Sequence, residues 1–305
     1  EVGVVHRPYE AVSKEKTDKS YSPIDWQRDV KSGYLFNANE PSSEASKNLP
    51  RGVDLKIPWE LARMHHLPQM ALASTVLDNK KEILLQEFKD QVIDFCESNP
   101  IGYGVNWSCP MDVAIRVVNL LVAYDIFEQQ DSQSVLDEDF KQYFLRKIIE
   151  HGRFIVRNLE KNILNDVSGN HYLSNLCGLL FVSSYIKNSE TEKWFEFAKE
   201  EFINEFDKQF LDDGGNYECS TAYHRLSAEI SVYCFALLIR NNVNIERRLL
   251  KKLNSVALFA TMTRRPDGTI IQIGDNDSGR LLKLNLKGKF IPISEYEKQY
   301  LDKEG

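Results

Sequence analysis

From residue 111 onward, runs that are apolar on all sides alternate with runs that are apolar along one stripe. The run 111–127 is apolar through Val113, Ala114, Val117, Val118, Leu121 and Val122. The run 138–159 places Phe140, Phe144, Ile148, Ile155 and Leu159 on one stripe. Residues 172–186 are again apolar almost all round, and 191–210 set Trp194, Ala198, Phe202, Phe206 and Phe210 against many Glu and Lys. The pattern repeats once more, with 228–239 apolar and 246–263 striped. A helix apolar on every side must be covered on every side, whereas a striped helix turns one face to solvent. The order is therefore inner, outer, three times over, with connections short enough for antiparallel hairpins. The inner helices then run parallel, with their N-termini on one rim. This predicts a mainly α protein, an α/α toroid or a related barrel of helical hairpins.

Upstream, 80–97 carries Leu84, Phe88, Val92 and Phe95 on one stripe, and Pro58 suits a first helical turn. Residues 1–56 lack periodicity and read as a solvated extension, with some packing around Trp26 and Tyr34-Leu35-Phe36. After Arg265 the character changes: Pro266-Asp267-Gly268 is a turn, and 269–273 and 281–286 read as strands. The organisation expected is an N-terminal extension over 1–56, a toroid catalytic domain over 57–265, and over 266–305 a linker with the start of a truncated antiparallel β domain. The chain opens on Glu1 without a signal-peptide pattern, so it reads as processed or trimmed.

A length of 305 residues allows one large domain or two modest ones. The net charge of −7 argues against a nucleic-acid partner, although a local field can still favour an acidic ligand. No run predicts a membrane span. None of the five cysteines forms a C-x-x-C pair, and Cys96, Cys177 and Cys234 fall in apolar runs as core residues. No disulfide framework, zinc motif or cofactor follows.

Four clusters sit before or at the start of hydrophobic helical runs: Pro58-Trp59-Glu60-Leu61-Ala62-Arg63, Asn106-Trp107-Ser108-Cys109-Pro110, Gly169-Asn170-His171-Tyr172, and Glu218-Cys219-Ser220-Thr221-Ala222-Tyr223-His224. Helix N-termini present unpaired N–H groups, and several on one rim favour an anion. Asn170 is either a helix cap or an amide donor. His171 is either a structural hydrogen-bonder or a charged donor near neutrality. Glu60 and Arg63 have ordinary i, i+3 ion-pair spacing but also suit a cleft wall. Arg116, in an apolar helix, either pairs internally or meets substrate. Trp59 and Trp107 offer flat faces for pyranose rings, or pack in a core. Asp212-Asp213-Gly214-Gly215 and 274–279 read as turns; the latter lacks the spacing of a calcium loop.

The set Trp59-Glu60-x-x-Arg63, Trp107-Ser108-x-Pro110 through Arg116, Gly169-Asn170-His171-Tyr172-Leu173-Ser174-Asn175-Leu176, Glu218-x-Ser220-x-x-Tyr223-His224 and Gly274-Asp275-Asn276-Asp277 resembles the heparinase II/III-like polysaccharide lyases and their alginate-lyase relatives. The resemblance covers about residues 50–280. It implies an incomplete (α/α) toroid followed by an antiparallel β domain. It implies β-elimination at an acidic polysaccharide: loss of the C5 proton of a uronate and expulsion of the 4-linked sugar. Asn170, assisted by His171, would disperse charge on the carboxylate, a donor of this kind being worth about 3–4 kcal/mol. Tyr223 matches the family's catalytic tyrosine. Trp59, Glu60, Arg63, Trp107, Arg116, Glu218 and His224 are expected to bind substrate. Relatives also draw a histidine or tyrosine from the β domain, and no metal is carried over. Such an enzyme of external glycans would be periplasmic or secreted. Two rivals stand beside it: a glycoside hydrolase using carboxylates among Glu60, Asp212, Asp213 and Glu218, and a glycan-binding protein without chemistry.

Overall fold

The computed structural model describes residues 17–162, 164 and 167–284. Its α-helices are α1 (Lys56–Ala62), α2 (His66–Ser74), α3 (Lys81–Ser98), α4 (Pro110–Glu128), α5 (Glu138–Arg157), α6 (Asn170–Tyr185), α7 (Ser189–Gln209), α8 (Thr221–Arg240) and α9 (Arg247–Met262). Most agree with the periodicity to within about two residues. Helix α8 starts seven residues before the predicted 228, because Ser220 caps it: its Oγ accepts from the Ala222 and Tyr223 amides, both at 3.2 Å. The polar residues of its first turns hide this start from a hydrophobic pattern.

Helices α4 and α8 flank α6, and α7 and α5 pack on α6 from outside. Helix α2 packs on α4 as a further inner helix, with α3 on its outer side. The toroid thus gains a hairpin, α2/α3, that the alternation of runs did not assign. Helix α6 is the axis of this packing. Its Leu173, Leu176, Cys177, Leu179, Leu180 and Val182 are all fully buried. Gly178 allows α4 to approach: a Cβ there would lie 2.9 Å from that of Ala114.

Residues 17–55 pack on α3 through a polar anchor. Asp94 Oδ2 accepts from the Trp26 indole (2.9 Å), the Ile24 amide (2.9 Å) and the Tyr21 hydroxyl (3.1 Å). Trp26 and Phe36 are buried, whereas Tyr34 and Leu35 are exposed. The segment expected as strands at 269–273 makes only an isolated bridge, Arg264 to Ile270. No strand forms among the described residues, and 285–286 lie outside them.

Instead, 273–283 runs as a strap across the rim. Its start is held on α8: Thr221 N donates to Ile273 O (3.0 Å), and Ser220 Oγ donates to Asp275 O. Further on, both Glu229 oxygens accept from the Leu281 and Leu282 amides, each at 3.1 Å. Leu281 O accepts from Asn119 Nδ2 of α4 (2.8 Å), and Arg280 O meets His65 Nε2, just before α2, at 2.9 Å. Leu281 and Leu282 are buried. The strap therefore links α8 to α4 and to the start of α2. Gly274 is required at its crossing point: φ is +72°, and a Cβ would stand 2.6 Å from Cys219 O.

Candidate functional site

A cavity of ≈ 410 Å³ opens on the rim formed by the N-termini of α4, α6 and α8. It takes Cys109, Met111 and Asp112 from α4 and the residue before it, Asn170 and His171 from α6, and Tyr223 and Leu226 from α8. Helix α1 adds Lys56, Trp59 and Glu60, with Arg63 just beyond its end, and the strap adds Asp277, Gly279 and Lys283. The parallel inner helices thus bring the first turns of distant segments together. A larger cavity of ≈ 600 Å³ lies toward the opposite ends of the same helices, lined by Leu121, Phe181, Leu237 and Arg240 among others. None of the four sequence clusters reaches it.

Asn170 is held by Glu218. Its backbone N donates to Glu218 Oε1 (2.8 Å) and its Nδ2 to Oε2 (2.9 Å), and it is 7 % exposed. The carboxylate, an acceptor only, fixes which end of the amide faces it and leaves Nδ2 one further N–H. Gly169 makes room for this pair: a Cβ there would be 2.7 Å from Glu218 Oε1. Glu218 thus touches Asn170 and does not line the cavity itself.

His171 Nδ1 meets Glu160 Oε1 at 2.7 Å. That hydrogen bond raises the imidazole pKa above its usual value, although partial burial opposes the rise. Glu160 is in turn fixed by the buried Asn175, which donates Nδ2 to Glu160 Oε2 (3.0 Å) and accepts from the Glu160 amide (2.8 Å). Glu160 escaped sequence reading, being an unremarked loop residue after α5; Asn175, in the motif after His171, was the available signal.

Tyr223 donates its hydroxyl to Asp277 Oδ2 (2.8 Å), with Asp275 Oδ2 at 3.3 Å. Burial first, then the hydrogen bond and charge of Asp277, push its pKa well above the usual phenol range. Asp277 pairs with Lys56 Nζ at 2.7 Å, which lowers the carboxyl pKa. The phenol is therefore held as a proton donor. Arg63 forms the i, i+3 pair with Glu60, and through Nε also pairs with Asp112, which is 1 % exposed. Trp59 lines the cavity and donates its indole N–H to Val105 O at 2.8 Å.

Besides Glu218, three more residues expected to bind substrate do not reach the cavity. Trp107 is buried, its ring packed on Phe154 (4.8 Å between centroids) and His151 (4.9 Å). Arg116 is fully buried over the Phe95 ring, 4.5 Å from its centroid. It forms no ion pair among the described residues; it donates Nε to Ala62 O (2.8 Å) and Nη2 to Asn106 O (2.5 Å), and burial brings its pKa down to about 10. It ties α1 to the turn before α4, so the charge in an apolar helix serves assembly of the rim. His224 is buried against Phe259, with Nε2 at 3.2 Å from Val256 O. Its helical position turns it away from the face that Tyr223 presents.

The carboxylates available to a hydrolase are poorly placed. Asp213 caps its own turn through the Gly215 amide at 2.8 Å, neither Asp212 nor Asp213 lines the cavity, and Glu218 is occupied by Asn170. The lining carboxylates Glu60, Asp112 and Asp277 are each bonded to Arg63 or Lys56. A general acid of the hydrolase kind needs a raised pKa, and that of Asp277 is lowered.

Among the described residues, no helix is long and apolar enough to cross a membrane. A comparison with curated proteins finds no match. Solved structures do match. One, described as heparinase III, superposes with a TM-score of 0.63 at 16% identity, over 99% of this chain and 46% of its own. The heparan sulfate lyase HepC from Pedobacter heparinus gives 0.56 at 17%, over 86% of this chain and 44% of its own. At such identities the likeness shows the fold, and this chain spans less than half of either structure's length. The family model described as Heparinase II/III N-terminus matches residues 4–289, nearly the whole sequence, and the chain accordingly belongs to that family.

Proposed function

We propose that this chain is the helical part of a polysaccharide lyase that cleaves a uronate-containing glycan by β-elimination. The observation that carries the reading is the meeting of Asn170, His171 and Tyr223 in one cavity. Elimination must remove a C5 proton beside an ionised carboxylate, which accumulates negative charge. Asn170 offers its second Nδ2–H to that carboxylate, and His171, protonated to a larger extent by Glu160, offers a charged N–H. Tyr223 supplies the proton that the 4-linked oxygen needs as it leaves. Asp277 keeps that proton on the phenol at neutral pH.

The same carboxylates oppose Tyr223 as a base. The proton acceptor is therefore expected from chain outside residues 17–284, in keeping with the longer length of the structural relatives. An acidic substrate is favoured by the cations on the wall. Lys283 is exposed and has no ion pair or hydrogen bond among the described residues, so it is ready for a carboxylate or sulfate. The relatives named as heparinase and heparan sulfate lyase make a glycosaminoglycan the first substrate to try.

The test is incubation of the full-length protein with heparan, hyaluronan, alginate and bacterial capsular chains, following the absorbance of the unsaturated uronate. Product is expected from at least one polymer and should vanish in Tyr223→Phe and Asn170→Ala. New reducing ends without unsaturation would replace the lyase by a hydrolase. Saturable binding without turnover would leave a binding protein.

A further inference from the structure

We propose that Cys109, Glu160 and His171 form a binding site for a thiophilic divalent cation of the zinc class on the cavity wall. One ligand-capable atom from each, a thiol sulfur, a carboxylate oxygen and a ring nitrogen, lies within 4.8 Å of the other two. The three come from separate places: the residue ahead of α4, the loop after α5 and the first turn of α6. Their spacing of 51 and 11 residues hides the group from any linear motif.

The donor set is of the kind that zinc takes, since a borderline-soft ion accepts sulfur, imidazole and carboxylate together. With metal–ligand bonds of about 2.0–2.3 Å, tetrahedral ligands stand about 3.4–3.6 Å apart. Reaching that geometry needs shifts on the order of 1 Å: the group closes from its present limit, and the 2.7 Å hydrogen bond between His171 Nδ1 and Glu160 Oε1 gives way to the ion. The group is reachable as well as compact. The His171 side chain is 51% exposed, and His171 and Cys109 both line the cavity, so an ion can enter from solvent and keep a position open toward it. An outer layer is present too, because Asn175 already fixes Glu160 through Oε2.

Protons balance the capture. Without metal, burial first and then Asp112 keep the Cys109 thiol protonated. Binding releases that proton, and a charged His171 gives up one more. Thiolate, carboxylate and neutral imidazole then carry two negative charges, which the dication neutralises. Under the lyase reading the ion would withdraw His171 from the substrate carboxylate and inhibit turnover. That consequence rests on the lyase reading, whereas binding itself does not.

The experiment is titration of Co²⁺ into the reduced, chelator-treated chain, followed by optical absorption. A thiolate-to-cobalt charge-transfer band is expected, with the intense d–d bands of a tetrahedral site, and Zn²⁺ should displace both. The band should be lost in Cys109→Ser and require about tenfold or more Co²⁺ in Glu160→Gln. It should persist in Cys219→Ser, which removes the exposed thiol that is the obvious competitor. Far-UV circular dichroism establishes that each variant is folded; should Cys109→Ser not fold, Glu160→Gln decides. Absence of the band in the wild type, its survival in folded Cys109→Ser, or unchanged affinity in Glu160→Gln would overturn the proposal. In full-length enzyme that turns over a glycan, inhibition by Zn²⁺ should be relieved in Glu160→Gln.

Discussion

Glu218→Gln is a near-isosteric change that tests whether Asn170 works as an oriented donor. The carboxylate accepts two donors at once, the Asn170 amide N–H at 2.8 Å and Nδ2 at 2.9 Å. A carboxamide in its place can accept only one of them and turns an NH₂ toward the other. The loss is that of one hydrogen bond to a charged group, about 1.5–3 kcal/mol. Rotation of the Asn170 amide relieves the conflict but aims its oxygen differently, so the remaining N–H leaves the substrate's side. The expected result is a fall in kcat of about 10²–10³, the usual consequence of losing one oxyanion donor. The unfolding midpoint should drop by roughly 5 °C, which leaves the variant folded in an assay at ordinary temperature. Rates of unsaturated-product formation and a thermal melt on the same preparation separate the two effects. Activity within a few-fold of wild type, in a variant whose melting point does fall, would refute the donor role of Asn170.

Glu160→Gln removes the group that raises the His171 pKa, so the imidazole should titrate at lower pH by NMR. The stabilisation linked to this raised pKa is present below the ordinary histidine value of about 6.5 and fades as pH rises through the folded one. Asp277→Asn should move the alkaline limb of the rate profile to lower pH, because Tyr223 then loses its proton sooner; an unmoved limb would separate Tyr223 from the proton donor. Burial holds His65 neutral, with a pKa of about 4, under the strap. Stability should therefore decline as pH falls from about 6.5 to 4, by about 3 kcal/mol for this residue alone, and His65→Gln should flatten a plot of melting temperature against pH there. Gly274→Ala forces a Cβ to 2.6 Å from Cys219 O at φ +72°. It should lower the melting point and speed hydrogen exchange at the Leu281 and Leu282 amides, which Glu229 holds.

The fold was legible where burial follows periodicity. Helices such as α6, with Leu173, Leu176 and Leu180 fully buried, announce themselves through apolar composition alone. Helix α2 did not, because its short run between His66 and Ser74 shows no sustained stripe. The cavity residues Asn170, His171 and Tyr223 could be named because helix starts concentrate polar side chains. Their partners Glu160, Glu218 and Asp277 lie 11, 48 and 54 residues away respectively, so nothing local assigns them. Sequence reading also overvalues charge and aromaticity as signs of a site. Arg116 and Trp107 stack together in the interior, 5.1 Å from guanidinium carbon to ring centroid. A guanidinium can satisfy itself on carbonyl oxygens as well as on a ligand, and composition cannot tell the two apart.

The strap that residue patterning took for strands adds Asp277 to a cavity that is surrounded by acids although an acidic ligand is proposed for it. Glu218 and Glu160 each hold a donor, Asn170 or His171, through short hydrogen bonds. Asp112 holds Arg63, and Asp277 holds both Lys56 and Tyr223. Each carboxylate thus restrains a group that would otherwise sample several rotamers, and pre-organisation of donors costs less at the moment of reaction than their later reorientation. Negative charge spent on positioning must be offset toward the ligand. Lys283, exposed on the strap without an ion pair among the described residues, and the protonated form of His171 supply that offset. Removing the strap would therefore do more than expose the rim: it would take away Asp277, which accepts from the Tyr223 hydroxyl, and Lys283, which lines the cavity, in one step.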